Sequence, residues 1–276
     1  MGAQQTLDGA RLALLGLPYD GTCSFRPGAR FGPAAIRNVS DGLETYCPVA
    51  NLDLEDVRFA DLGDLILPPG EKDETLRLIE QAAGELYGDQ VIPAGLGGEH
   101  LVSLPLVKAA FAQCPDLVLV QFDAHLDLRD DYLGSKLSHA TVLRRIMEFV
   151  SPSRILQIGA RSGPREEFEI AKKFGTYRAD TFSPSDLSAW IANRPVYVTL
   201  DLDVLDPSVL PGTGTPEPGG VSFTTLQNWI QALSGLHWVG WDVVELSPDY
   251  DSTHVSSVVS SKIVRSMILA STAKLY

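Results

Sequence analysis

Short apolar runs recur along the chain, each closed by glycine, proline or a charged side chain, and stretches with an apolar residue every three or four positions lie between them. The run at 11–16, Arg11-Leu-Ala-Leu-Leu-Gly16, stops at Gly16 and Pro18 and reads as a buried strand. Similar runs at 57–61, 89–94, 116–122, 154–159, 175–178, 195–200 and 238–244 predict further strands. Helical periodicity covers 33–37, 72–87, 101–113, 139–149, 166–174, 185–192, 222–233 and 255–273. Pro33 suits a first helical position and Ser183 a helix cap. Apolar strands alternating with helices call for a parallel sheet covered on both faces, an α/β architecture. No linker, repeat or low-complexity tract interrupts the pattern, so residues 1–276 are expected to form a single domain. Periodicity leaves an open sheet and a closed barrel equally acceptable. In either, loops leaving the carboxyl ends of the strands share one rim, where ligands bind.

Candidate chemistry falls on that rim. Asp123-Ala-His-Leu-Asp127 leaves the fourth run, and extended backbone would turn Asp123, His125 and Asp127 to one side. His100 follows the third run beside Gly97 and Gly98, which let the backbone bend sharply and come close to a ligand. Asp201 and Asp203 follow the seventh, again at a spacing of two. Carboxylate and imidazole donors suit a borderline-hard divalent cation such as Mn²⁺. Any one of these residues alone would more often be a turn former or a satisfied polar group. Together they exceed one ordinary site and fit two cations about 3.5–4 Å apart, with four carboxylates against four positive charges. The loop at 18–33 is rich in glycine and proline and long for a plain connector, which marks it as functional.

Charge narrows the partners. Asp and Glu number 35 against 22 Lys and Arg, a formal net charge of −13, which repels phosphate backbones and favours cationic ligands or metal ions. Nucleic acid is therefore not an expected partner. With 45% hydrophobic residues and a mean hydropathy of +0.05, no window reaches the ~18 uncharged apolar residues of a membrane span, and no basic-then-apolar leader opens the chain. Neither export nor membrane anchoring is expected. Cys23, Cys47 and Cys114 are odd in number and lack CxxC spacing, so neither a disulfide framework nor a zinc knuckle is expected. A reducing cytoplasm is the expected location.

Gly97-Gly98-Glu99-His100, Asp123-Ala-His-Leu-Asp127, Ser138-His139-Ala-Thr141, Asp201-Leu-Asp-Val-Leu-Asp-Pro207 and Glu245-Leu-Ser-Pro248 together resemble the ureohydrolase family of arginases and agmatinases. The likeness runs from about Gly16 to Ser261, with the motifs in the family's order. It implies a three-layer α/β/α fold with an open, eight-stranded, mainly parallel sheet. It further implies two Mn²⁺ per subunit, hydrolysis of a guanidino group to urea and an amine, and a homotrimer or homohexamer. His100, Asp123, His125, Asp127, Asp201 and Asp203 are the implied ligands, the set that spacing also picks out. By the same likeness Glu245 pairs with the substrate guanidinium, Asp127 takes a proton and passes it to the leaving amine, and His139 shuttles protons at the mouth. A helix-capping or core histidine is the alternative for His139. His237 and His254 lack ligand-like neighbours and are expected to be structural, and Asp206 to brace the Asp-Pro turn or orient ligands. Glu99 and Ala140 depart from the Asp and Gly the family often carries, which could reshape the surroundings of the ligands or the mouth.

The loop Arg129-Asp-Asp-Tyr132 bears on the substrate. Asp130 and Asp131 would draw a terminal ammonium, which favours agmatine and places the enzyme in polyamine synthesis; Arg129 could instead hold the carboxylate of guanidinobutyrate. Aminopropylagmatine would fit the same acidic mouth. A catalytically silent relative that binds a cationic ligand is the reading from another class, and the presence of every ligand together with Glu245 weighs against it.

Overall fold

In the computed structural model, which describes residues 2–178 and 183–273, the chain runs β1 (Leu12–Leu17), α1 (Gly32–Ser40), β2 (Tyr46–Cys47), β3 (Leu52–Asp53), β4 (Phe59–Asp64), α2 (Lys72–Gly88), β5 (Ile92–Gly97), α3 (Ser103–Gln113), β6 (Val118–Phe122), α4 (Val142–Ile146), β7 (Ile155–Ile158), α5 (Arg165–Phe174), β8 (Tyr177–Arg178), α6 (Pro184–Ile191), β9 (Val196–Asp201), α7 (Phe223–Ala232), β10 (Trp238–Val244) and α8 (Val255–Thr272). Eight strands form one sheet in the order β4-β1-β5-β10-β9-β6-β7-β8. Its described pairings are all parallel, and β4 and β8 are its edges, so the sheet is open and the barrel alternative falls away.

The alternation of side chains across the strands builds the layers. In β1, Leu12 and Leu14 join the core that includes Ile36 of α1, Leu187 of α6, Trp229 of α7 and Met267 of α8. Ala13, Leu15 and Leu17 turn the other way, into the core with Ile79 of α2, Val107 of α3, Val142 of α4 and Ala171 of α5. Helices thus cover both faces, as the near-continuous apolar strands require. A fully buried aliphatic or aromatic side chain contributes about 1.5–3 kcal/mol. Two cores of this size offset the cost of the carboxylates buried at the sheet's carboxyl edge. No helix among the described residues is long and apolar enough to cross a membrane.

Several element bounds differ from expectation for local reasons. β5 lies three residues later than the run at 89–94, because Asp89 and Gln90 form the turn that ends α2, with Gln90 at φ 60°. The expected helix at 139–149 is a 3-10 turn over His139–Thr141 followed by the short α4. The antiparallel pair β2–β3 was not foreseen; its two-residue strands are too short to show a period. Helix starts follow capping chemistry: the hydroxyls of Ser183 and Ser222 accept from Asp186 N and Thr225 N. Asp251 does the same for α8, accepting from Ser256 N at 2.7 Å and Ser256 Oγ at 2.6 Å.

Candidate metal centre and cleft

The four strands at the middle of the sheet, β5, β10, β9 and β6, all point their carboxyl ends to one place. His100 comes two residues beyond Glu99's neighbour Gly98, just after β5; Asp123, His125 and Asp127 follow β6; Asp201 and Asp203 leave β9; Glu245 leaves β10. Gly98 serves close approach rather than an unusual φ: a Cβ there would sit 1.9 Å from the Tyr19 carbonyl oxygen. Bare backbone lets Glu99 N bond Tyr19 O and Gly98 O accept from Glu245 N, both at 2.8 Å, so β1, β5 and β10 stay laced together to the rim.

Two clusters of donors meet there and share one residue. His100 Nδ1 lies 3.0 Å from Asp123 Oδ2, 3.0 Å from Asp127 Oδ2 and 3.5 Å from Asp201 Oδ2. His125 Nδ1 lies 3.0 Å from Asp203 Oδ2 and 3.5 Å from Asp123 Oδ1. Asp123 therefore gives one oxygen to each cluster, as a bridging carboxylate does. The route to this geometry differs from the extended backbone expected of 123–127. The Asp123 carboxylate accepts from His125 N at 2.6 Å, which closes a turn, and Asp127 adopts φ 52° in the left-handed region. Glu245 is likewise left-handed, at φ 70°. Strained backbone of this kind costs of order 1–3 kcal/mol and persists where the surroundings fix it, often at functional sites.

Hydrogen bonds orient the donors. Thr199 Oγ1 donates to Asp242 Oδ1 at 2.7 Å, so its contact of 2.9 Å with His100 Nε2 is one it accepts. That places a proton on Nε2 and turns Nδ1 toward the carboxylates. Asp242 also accepts from Ser103 Oγ and Tyr197 OH. Gln121 donates to Asp123 Oδ2 at 2.6 Å and is held by Gln157, itself bonded by Thr176. Asp203 accepts from Ala124 N at 3.0 Å and Thr215 Oγ1 at 3.1 Å, and Asp201 from Asp203 N at 2.9 Å.

The donor set fits divalent cations. His100 Nδ1 is buried with no hydrogen-bond partner although three carboxylates surround it, the arrangement of donors aimed at a common point. Burial disfavours the charged form of both histidines, yet the carboxylates around them outweigh it and push their pKa values up, His100 through Asp123, Asp127 and Asp201 and His125 chiefly through Asp203. The cluster thus demands positive charge, and protons compete with cations for it. Burial, then Asp123, raises Asp127 to about 6; burial, then Glu99, raises Glu245 to about 8. Asp201 is also raised, by burial and Asp203. Asp123 moves the other way, since the two histidines outweigh its burial.

Beside the clusters is a cleft of about 120 Å³ lined by His125, Asp127, Arg129, Tyr132, His139 and Glu167, among others. Glu245 is 6% exposed and its Oε1 accepts from His100 N at 2.7 Å. His139 begins the 3-10 turn, and burial lowers it to about 4, which keeps the ring neutral. The loop at 18–33 folds over this side: Asp20 accepts from Gly28 N and pairs with Arg30, and Tyr132 OH donates to Ser24 Oγ at 3.1 Å.

The arginase family model matches residues 10–270. The chain belongs to the arginase family. It is 45% identical over 265 residues to an agmatinase of Bacillus cereus, covering 94% of this chain and 91% of that protein. It is 33% identical over 276 residues to a guanidinobutyrase of Pseudomonas aeruginosa, covering 95% and 86%. A crystal structure from Clostridium difficile, 43% identical, superposes with a TM-score of 0.93 over 97% of this chain and 99% of that one.

Within this arginase-family fold the acidic pair of the 129–132 loop lies elsewhere than expected. Asp130 bonds Arg145 and is within 3.8 Å of Arg144, and Asp131 accepts from Gly134 N in an exposed turn; neither lines the cleft. Arg129 does line it, but its charge is engaged by Glu167 at 3.1 Å and its guanidinium stacks over Tyr132. Glu167, which the sequence reading passed over, is the carboxylate that lines the cleft besides Asp127; burial and Asp127 raise it to about 7. It lies far along the chain from every motif, so its sequence position gave no signal. Arg161 was missed as well: it donates to the backbone oxygens of Asp203 and Glu217 and so ties the β9 exit to the loop at 206–220. Asp206 braces the Asp-Pro turn by accepting from Ser208 N and Ser208 Oγ, and folds that loop back by accepting from Gly219 N and Gly220 N.

Proposed function

We propose that the chain hydrolyses agmatine to putrescine and urea with two Mn²⁺ per subunit, in polyamine synthesis. The observation that carries the reaction class is the pair of donor clusters sharing Asp123, with Glu245 and a neutral His139 beside them. Likeness to the Bacillus cereus agmatinase supports the substrate. His100, Asp123, Asp127 and Asp201 would hold one cation, and Asp123, His125 and Asp203 the other. Cations so held lower the pKa of bound water, which supplies a nucleophile at neutral pH to a guanidinium carbon that resonance makes a poor electrophile.

The remaining work falls to the protein's own groups. Glu245, fixed through Oε1 by the His100 N–H, offers its other oxygen to the guanidinium, whose positive charge favours the ionised carboxylate against its burial, in a charge-assisted pair that also aligns the carbon. Asp127, which borders both the donor cluster and the cleft, would take a proton as the new C–O bond forms and return it to the leaving amine. His139 moves protons between cleft and solvent. Glu167 lines the cleft where the distal ammonium of agmatine would lie, and an ammonium there would compete with Arg129 for its carboxylate. A second reading, hydrolysis of guanidinobutyrate, draws on Arg129 in the cleft and the Pseudomonas aeruginosa relative; it requires Arg129 to leave Glu167. Urea release from agmatine, aminopropylagmatine, arginine and guanidinobutyrate, with and without Mn²⁺, tests the reading. Agmatine should be turned over best and only with metal; silence toward all four would overturn it. A homotrimer or homohexamer is the assembly we infer from family likeness, and light scattering of the full-length protein tests it.

A further inference from the structure

Glu99 is fully buried at the start of the His100 turn, yet it touches none of the cation donors. Its carboxylate accepts from the 18–33 loop: from Thr22 N at 2.8 Å, from Thr22 Oγ1 at 2.6 Å, and from the Cys23 thiol. A hydroxyl has one proton and two lone pairs. With the Thr22 proton engaged by Glu99, every other contact at Thr22 Oγ1 has to be accepted. There are two, and both come from His139: the backbone N–H at 3.1 Å and ring Nδ1 at 3.3 Å. A bare Nδ1 would set its lone pair against those of Thr22, whereas a protonated Nδ1 satisfies them and can share its hydrogen with Ser138 Oγ, also at 3.3 Å. The far side of the ring agrees. Ser24 Oγ accepts from Tyr132 OH at 3.1 Å, which frees the Ser24 proton for His139 Nε2 at 3.5 Å.

We propose that Glu99 is a positioning residue that acts through the Thr22 hydroxyl to hold His139 in the Nδ1–H tautomer, leaving Nε2 as the proton-accepting nitrogen on the cleft side. Its catalytic consequence rests on the hydrolytic reading above, but the tautomer itself does not. Glutamate and glutamine have the same shape and differ in one respect that matters here. In Glu99→Gln the carbonyl oxygen is needed by Thr22 N–H, so the amide NH₂ faces Thr22 Oγ1, turns that hydroxyl round, and directs its proton to His139 Nδ1. The tether between the loops survives while the tautomer inverts.

The full-length protein, labelled with ¹⁵N-histidine and loaded with diamagnetic Zn²⁺, reports through long-range ¹H–¹⁵N correlations which ring nitrogen of each of its 5 histidines carries the proton. At about pH 8, above the ordinary histidine pKa of about 6.5, wild type should show Nδ1–H at His139 and Glu99→Gln should show Nε2–H. Thr22→Ser, which keeps the hydroxyl, should retain Nδ1–H. In the turnover assay Glu99→Gln should lower kcat about tenfold or more with KM within about twofold, since positioned acid–base groups contribute about 10²–10⁴, and Thr22→Ser should restore most of what Thr22→Val loses. An Nε2–H wild type, or Nδ1–H persisting in Glu99→Gln, would overturn the proposal. Absence of urea from every guanidine tested would overturn the hydrolytic reading and leave the tautomer measurement to decide this one.

Discussion

Replacing Thr199 by valine removes one hydroxyl and almost no volume, and should loosen the cation site from beneath. Thr199 is fully buried in β9, a strand in which a β-branched valine fits as well as threonine. Its hydroxyl accepts from His100 Nε2 at 2.9 Å and donates to Asp242 Oδ1 at 2.7 Å. The variant leaves the His100 Nε2–H without an acceptor in a fully buried setting, a cost of about 1–3 kcal/mol. The ring can escape that cost by moving its proton to Nδ1, but Nδ1 is the atom that faces Asp123, Asp127 and Asp201. Either way a cation loses affinity. Partners behind a ligating histidine are typically worth 10–100-fold in metal affinity, or about 1.4–2.8 kcal/mol. Competition between the full-length protein and a chelating dye for Mn²⁺ measures this directly, and Thr199→Ser, which keeps the hydroxyl, should bind within a few-fold of wild type. Mn²⁺ affinity unchanged to within about twofold in Thr199→Val would refute the view that this hydroxyl fixes His100.

Asp127→Asn should lower both Mn²⁺ retention and turnover, whereas Asp130→Asn should leave KM for agmatine within about twofold, because Asp130 is spent on Arg145; steady-state kinetics with metal analysis of both variants separates the two. Chelation of the cations should lower thermal stability, since a ligand at 100 times its Kd stabilises by about 2.7 kcal/mol; equal melting temperatures with EDTA and with Mn²⁺ would contradict a metal centre here. Asp251 provides an acid-side test. Its burial raises the carboxyl, but hydrogen bonds from Ser256 and Thr253 outweigh this and hold it at about 2, against 3.8 unperturbed. Its stabilising effect is therefore full above pH 4 and is lost as pH falls from about 4 to about 2, worth about 2 kcal/mol at 1.36 kcal/mol per unit; Asp251→Asn should flatten that part of the stability curve. Gly98→Ala should fail to accumulate as folded protein, because its Cβ would meet the Tyr19 carbonyl at 1.9 Å.

Strand and helix identity could be read from the chain because the pattern is set locally: β1 alternates between two cores residue by residue, and capping hydroxyls mark the starts of α6 and α7. The rim was legible for the same reason, since a parallel α/β sheet sends every strand's carboxyl end one way. What could not be read depends on how loops fold onto one another. The acidity of Asp130 and Asp131 suggested a cation-binding mouth, but charge in a sequence has no direction, and Arg145 and Gly134 N, one of them fifteen positions away, decide where those carboxylates go. Glu167 was invisible by the same logic: only α5 lying against the β6 exit brings it to Leu128 N and Arg129. Glu99 makes the point most sharply. Read in the chain it is a mild departure beside a ligand; in the fold its two oxygens grip Thr22, and through one shared hydroxyl proton they reach a histidine forty residues further on. Proton direction along such a chain is fixed by counting donors and lone pairs, so the least conspicuous member, a hydroxyl in a glycine-rich loop, carries the most information about how the acid–base group is set.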